Sequence, residues 1–148
     1  MNIRHITKND YAIVIQMLKN YRDSDLIKNM EDCVNQQHIE NVLDYIRAGA
    51  GVGFIAENGD DHLGILLALK TPYVWNPETF VMNELCFWVE PDFRRTSAAY
   101  RLIMRYVEFC QAMKSADAIR SFTMVQRAGT NLDYARFGFE LAEESWSQ

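Results

Sequence analysis

The chain has 148 residues, of which 49% are hydrophobic and 24% charged, with a formal net charge of -5. This length and balance predict one globular domain, residues 1–148, with a core of its own, and they exclude a disordered or fibrous chain. The acidic balance argues against broad nucleic-acid binding, which works by neutralising phosphates, but it leaves room for a local basic pocket.

Asn2 to Thr7, with Ile3 and Ile6 among polar residues, predicts a short strand. Thr7 can cap a following helix, with Asp10 three residues on as its capping-box partner. Tyr11, Val14, Ile15, Leu18 and Tyr21 then recur at helical spacing. Residues 23–30 are polar and read as a loop. Glu31 to Ala48 predicts a second helix with Val34, His38, Val42, Tyr45 and Ile46 on its face, ended by Gly49 and Gly51. Val52 to Glu57 and Leu63 to Lys70 read as strands joined by Asn58-Gly59-Asp60-Asp61, a hairpin turn signal. Thr71 to Thr79 holds Pro72, Tyr73, Trp75 and Pro77 and reads as an aromatic loop that either packs or covers a ligand. Phe80 to Val89 predicts a long strand, Thr96 to about Lys114 a helix, and Ala118 to Val125 a further strand.

Cys33, Cys86 and Cys110 are odd in number, widely spaced and without a C-x-x-C or metal-ligand pattern, so they read as reduced thiols in a cytoplasmic protein with no metal. The first residues, Met1 to His5, carry no signal-peptide apolar region, and no apolar run approaches a membrane span.

The chemistry concentrates in the run Glu84-Leu85-Cys86-Phe87-Trp88-Val89-Glu90-Pro91-Asp92-Phe93-Arg94-Arg95-Thr96-Ser97-Ala98-Ala99. Leu85 to Val89 suit a buried strand, Pro91 stops it, and Thr96 or Ser97 can cap the next helix. A helix that starts just after two arginines is suited to an anion. Its first N–H groups lack partners inside the helix and its dipole is positive at that end. Arg94 and Arg95 add forked, charged donors that suit phosphate oxygens. Two readings stand on these residues: a phosphate or pyrophosphate site, and an ordinary helix start with two solvated arginines.

The run Val89-Glu90-Pro91-Asp92-Phe93-Arg94-Arg95-Thr96-Ser97-Ala98-Ala99 resembles the acyl-CoA-binding signature of the GNAT N-acetyltransferases, V-x-P-x-[YF]-R-[RG]-x-G-x-[GA]. Arg94, Arg95 and Ala99 match its pattern, and Ser97 stands where the family usually has Gly. A second stretch, Asn131-Leu132-Asp133-Tyr134-Ala135-Arg136-Phe137-Gly138-Phe139, resembles the family's ending N-x-x-[LY]-Y-x-[KR]-x-GF, with a shorter separation of Asn131 from Tyr134 than is usual. The opening strand and helix and the hairpin around Asn58 are also similar to the family. The resemblance implies an α/β acyl-CoA N-acyltransferase fold: a central, mixed, mostly antiparallel sheet flanked by helices, with the fourth and fifth strands splayed. Glu140 to Trp146 would then be the last strand. The segment between the first two helices would lie near the acceptor.

The same resemblance implies acetyl-CoA as co-substrate and a primary amine, of a small molecule or a protein, as acceptor, with direct transfer in a ternary complex. The backbone of Phe87, Trp88 and Val89 would hold the pantetheine arm. The N–H groups of Arg95, Thr96, Ser97, Ala98 and Ala99, with the side chains of Arg94 and Arg95, would hold the phosphates, and Asn131 would bond the pantetheine. Tyr134 would serve the departing thiolate, and Glu84 on the fourth strand would take the amine proton. Strand alternation puts Glu84 on one face with Cys86 and Trp88. The alternative for Glu84 is a carboxylate that faces solvent or pairs with arginine, and for Tyr134 a core tyrosine. Homodimers are frequent in the family, and no nucleic acid or membrane is implied as a partner. Two rivals remain at this level: a non-catalytic module of this fold that binds acyl-CoA or a protein in a regulatory role, and an unrelated α/β domain acting through protein contacts alone.

Overall fold

Five strands assemble in sequence order, β1 (Asn2–His5), β2 (Gly51–Asn58), β3 (Asp61–Tyr73), β4 (Asn76–Val89) and β5 (Ser121–Thr123). This computed structural model describes residues 1–24, 33–127 and 131–146. Residues 25–30 of the loop expected over 23–30, and the first residues of the expected second helix, lie outside the described residues. The first four strands pair antiparallel, and β5 joins β4 in parallel. A parallel neighbour needs a crossover, and α3 (Ala98–Ser115) supplies it between β4 and β5.

β3 lies in the middle of the sheet and reads as a continuous apolar run because both of its faces are covered. Leu66 and Ala68 pack with Phe54, Met82, Leu102, Tyr106 and Cys110 on the α3 side. Ile65 and Leu67 pack with Val14, Ile15, Met17, Leu43 and Cys86 on the side of α1 (Tyr11–Arg22) and α2 (Gln36–Tyr45). At the start of α1 the Asp10 carboxylate accepts from the Thr7 backbone N–H at 2.7 Å, as the sequence pattern predicts. It also takes two bonds from Arg4, at 2.7 and 2.8 Å, while Arg4 reaches Glu57 on β2 at 3.0 Å.

Several expectations are corrected. The second helix starts at Gln36, because the Asn35 side chain accepts from the His38 N–H at 3.0 Å and caps it there. Its buried face is Leu43 and Ile46, with Ile39 and Val42 beside them, whereas Val34, His38 and Tyr45 are exposed. Gly49, at φ 100, ends the helical stretch through Ala50. The aromatic loop over 71–79 is instead the end of a hairpin. Pro72 pairs with Phe80 and Tyr73 with Asn76, so only Val74 and Trp75 form the turn. The fifth strand is three residues, not eight. The described residues 140–146 form no strand, and Leu141 and Trp146 are exposed.

Candidate active site

β4 and β5 pair only at Val81↔Ser121, Met82↔Phe122 and Asn83↔Thr123. From Glu84 to Val89 the strand keeps β3 on one edge and, among the described residues, has no strand on the other. Backbone groups on that edge are left without a strand partner, as expected where these two strands splay. The Arg94 Nε donates to one of them, the Val89 carbonyl, at 3.0 Å.

Glu84 sits at the first position past the pairing. The register slips here: Ala68 pairs with Glu84 and Leu67 with Cys86, so Leu85 has no partner. Such a bulge resets the alternation. Cys86 and Trp88 consequently join the α1 cluster, while Glu84 lies across from Ala68 of the α3 cluster, and the expected shared face of Glu84, Cys86 and Trp88 is overturned. Burial pushes the Glu84 carboxyl up to about 7, with the nearby Val125 backbone N–H partly opposing it. Neither solvent exposure nor an arginine accounts for this carboxylate.

Tyr134 lies in a short 3-10 turn, Tyr134–Phe137, closed by Gly138 in the left-handed region at φ 86. Its ring meets Phe139 edge-on at 6.2 Å. Burial and then the Glu84 charge push the phenol up to about 12. That coupling brings together two groups that lie fifty residues apart in the chain. Cys86 is buried, and burial followed by the Glu84 charge holds its thiol well above the usual range, so it stays protonated.

The turn after β4 is a 3-10 stretch, Pro91–Phe93, followed by α3. Thr96 shapes it: its hydroxyl donates to the Phe93 carbonyl at 2.7 Å and accepts from the Ala98 N–H at 3.2 Å. The Thr96 N–H bonds the Phe93 carbonyl at 3.1 Å. Of the five N–H groups expected to meet phosphate, those of Thr96 and Ala98 are thus already engaged, and those of Arg95, Ser97 and Ala99 have no partner among the described residues. Ser97 has φ -79 and ψ 8, angles any residue adopts, so the missing glycine costs the turn nothing. Ala98 is buried and Arg95 exposed, while Arg94 lies over the Trp88 ring at 4.7 Å. Phe87 and Val89 pack on the α3 side. Asn131 is exposed and makes no contact that assigns it a role.

Three features escaped the sequence reading. Thr123 donates to Asn83 at 3.1 Å and Asn83 to Thr71 at 3.0 Å, a polar chain across β5, β4 and β3 beside Glu84. Next to Thr71 an open groove of ≈ 260 Å³ is lined by Val42, Tyr45, Ala50, Leu69 and Lys70. Arg127, half-buried just after β5, lies over the Tyr21 ring at 4.1 Å, and its charge reaches Tyr134. Tyr21 in turn meets Trp88 edge-on at 6.1 Å. Tyr21 reads in sequence as one more apolar helix position, and nothing in the spacing of Arg127 signals its placement.

The sequence matches the Acetyltransferase (GNAT) family over residues 15–139. The chain belongs to that family. Among solved structures it is similar to a predicted acetyltransferase with acetyl-CoA from Clostridium acetobutylicum, at 15% identity and a TM-score of 0.72, covering 99% of this chain and 94% of that one. An aminoglycoside acetyltransferase from an uncultured soil metagenomic sample, in complex with trehalose, gives 16% identity and 0.70 over 99% and 92%. AAC(6')-Iy, in complex with the bisubstrate analogue CoA-S-monomethyl-acetylneamine, gives 18% and 0.70 over 99% and 95%. No curated protein matches the sequence. Among the described residues no helix is long and apolar enough to cross a membrane.

Proposed function

We propose that this protein is an acetyl-CoA-dependent N-acetyltransferase acting on a primary amine by direct transfer in a ternary complex. The observation that carries this reading is that β5 leaves β4 at Asn83, just before Glu84, whose charge acts on Tyr134. The chain's own groups fit an acyl-CoA. Unpaired strand edge suits amide groups, and the N–H groups of Arg95, Ser97 and Ala99, at or just before the start of an eighteen-residue helix, suit a pyrophosphate. Acetyl-CoA supplies the activated thioester. Phe87 and the Val89 N–H offer it backbone on the edge away from β3, whereas the Trp88 carbonyl expected to join them faces β3 and the Val89 carbonyl already accepts from Arg94; Arg94 and Arg95 offer charge-assisted donors.

Glu84, held near neutrality, takes the proton that the attacking amine releases as the new amide bond forms. Tyr134 donates to the sulfur as the thioester C–S bond breaks. A phenol near 12 is a weaker acid than a thiol at about 8.5. Complete proton transfer to the thiolate is therefore uphill, and Tyr134 stabilises it as a hydrogen-bond donor. The groove beside α2, next to Thr71, is the acceptor entrance this reading favours. Lys70 is the one cation among the groove's lining residues, and none of them is acidic, so nothing there selects a polycation.

The test is calorimetric titration with acetyl-CoA on the wild type and on an Arg94→Ala/Arg95→Ala variant. Micromolar binding that weakens at least tenfold in the variant supports the site and justifies an amine screen. No binding at millimolar acetyl-CoA would sink the reading. A second reading, a regulatory module that binds acyl-CoA without turnover, is favoured by the short 3-10 turn that carries Tyr134 in place of a longer helix. Binding with no acetylated product across the amine screen would mark it out.

A further inference from the structure

Two buried side-chain donors have no protein partner among the described residues: the Tyr21 hydroxyl and the Trp88 indole N–H. Tyr21 is 8% exposed. Buried tyrosine and tryptophan ordinarily find a hydrogen-bond partner, and phenylalanine would fill either place without an unpaired polar atom. The two rings belong to one assembly. They meet at 6.1 Å and 83°, with Arg127 covering Tyr21 at 4.1 Å and Arg94 covering Trp88 at 4.7 Å. One face of each ring is therefore covered by a guanidinium, and among the described residues their polar atoms remain unpartnered.

Their place along β4 narrows what they meet. Trp88 lies in the segment that has no β5 partner, four residues after Glu84, which is about 13 Å along a strand. It also lies just before the Pro91–Phe93 turn that leads to the free N–H groups of the α3 start. An acyl group near Glu84 and a pyrophosphate at α3 leave the span beside Trp88 to the linker between them. In an acyl-CoA that linker is pantetheine, an uncharged chain with two amide carbonyls. We propose that the Tyr21 hydroxyl and the Trp88 indole N–H are side-chain donors to the pantetheine amide oxygens, so that α1 as well as β4 grips the cofactor arm. This rests on the acyl-CoA reading above. An acceptor substrate fits less well, because its amine has to reach Glu84, a strand's length away.

The experiment compares two ligands on three proteins. CoA and adenosine 3′,5′-bisphosphate, which lacks pantetheine, are titrated calorimetrically into wild type, Tyr21→Phe and Trp88→Phe. Each variant is expected to weaken CoA about fivefold, the worth of one hydrogen bond, and to leave the bisphosphate unchanged. Tyr21→Phe keeps the ring and is expected to melt no lower than wild type without ligand, since it removes an unpaired buried hydroxyl. It carries the test if Trp88→Phe does not fold. Equal CoA affinity in wild type and Tyr21→Phe overturns the proposal while leaving the acyl-CoA reading intact. So does an equal loss for both ligands, or a raised acceptor KM with CoA binding unchanged. Failure of the wild type to bind CoA at all overturns both.

Discussion

Glu84 and Tyr134 are two acids whose surroundings set them to different work at one pH. Glu84, raised to about 7, is divided between base and acid forms near neutrality, whereas Tyr134, raised to about 12, stays a donor throughout that range. With Glu84 as the proposed base, kcat/KM is expected to rise with pH through about 7 and then level off. Glu84→Gln should abolish that limb and lower kcat by about a hundredfold or more, read from initial rates between pH 5 and 9. The stability effect runs the other way. A carboxyl whose folded pKa exceeds its unfolded value stabilises fully below about 4.5, and that contribution is lost as pH rises through about 7. Glu84→Gln is therefore expected to melt higher than wild type at pH 8 and alike at pH 4. Tyr134→Phe should lower kcat by about ten- to a hundredfold with acetyl-CoA affinity unchanged, as the proposed role of its hydroxyl at the leaving sulfur requires. Both residues were legible as candidates from their neighbours in sequence. Their mutual placement was not, because one unpaired residue, Leu85, turned Glu84 away from the face that alternation assigns it.

Elements were legible where periodicity and punctuation agree and misread where composition stood in for pairing. Thr7 and Asp10 announced a cap, Asn58 and Gly59 a hairpin, and Pro91 the end of a strand. Pro72, Trp75 and Pro77 suggested a loop, yet β3 and β4 carry on through the prolines to a turn at Val74 and Trp75, because a hairpin end tolerates residues that cannot pair on both edges. Two element-scale predictions follow from close contacts. Asp10, bonded to Arg4, is held at about 2, below its usual range near 3.8. Its stabilisation is present above about 3.8 and lost as pH falls toward 2. Asp10→Asn should thus cost about 2 kcal/mol at pH 7 and nearly nothing at pH 2, measured by urea unfolding at each pH. Gly64 is different in kind. A Cβ there would lie 2.5 Å from the Trp88 carbonyl oxygen and 3.1 Å from the Val89 Cα, both backbone. Gly64→Ala must push β3 away from the very segment of β4 that faces the opening. The expected result is a loss of about 2 kcal/mol in stability together with weakened acetyl-CoA binding.

At the scale of the whole molecule the two edges of β4 differ. β1 to β4 form a continuous antiparallel ladder, whereas β5 pairs β4 only over Val81 to Asn83 among the described residues. An unpaired strand edge is normally a liability, because its backbone groups invite another chain. Here Arg94 already donates to the Val89 carbonyl and the Glu84 charge acts on Tyr134, polar surroundings that suit a ligand better than a strand. Hydrogen exchange reads this directly. Amides of β2 and β3, inside the ladder, should exchange slowly with or without ligand. Amides within 84–89 that point away from β3 should exchange quickly in the free protein and slow by tenfold or more in saturating acetyl-CoA. Protection confined to 84–89 and the start of α3 is the expected pattern, because only there does the ligand replace missing pairing. Uniform slowing across the whole sheet would mean that acetyl-CoA stabilises the fold from elsewhere, and the opening between β4 and β5 would need another occupant.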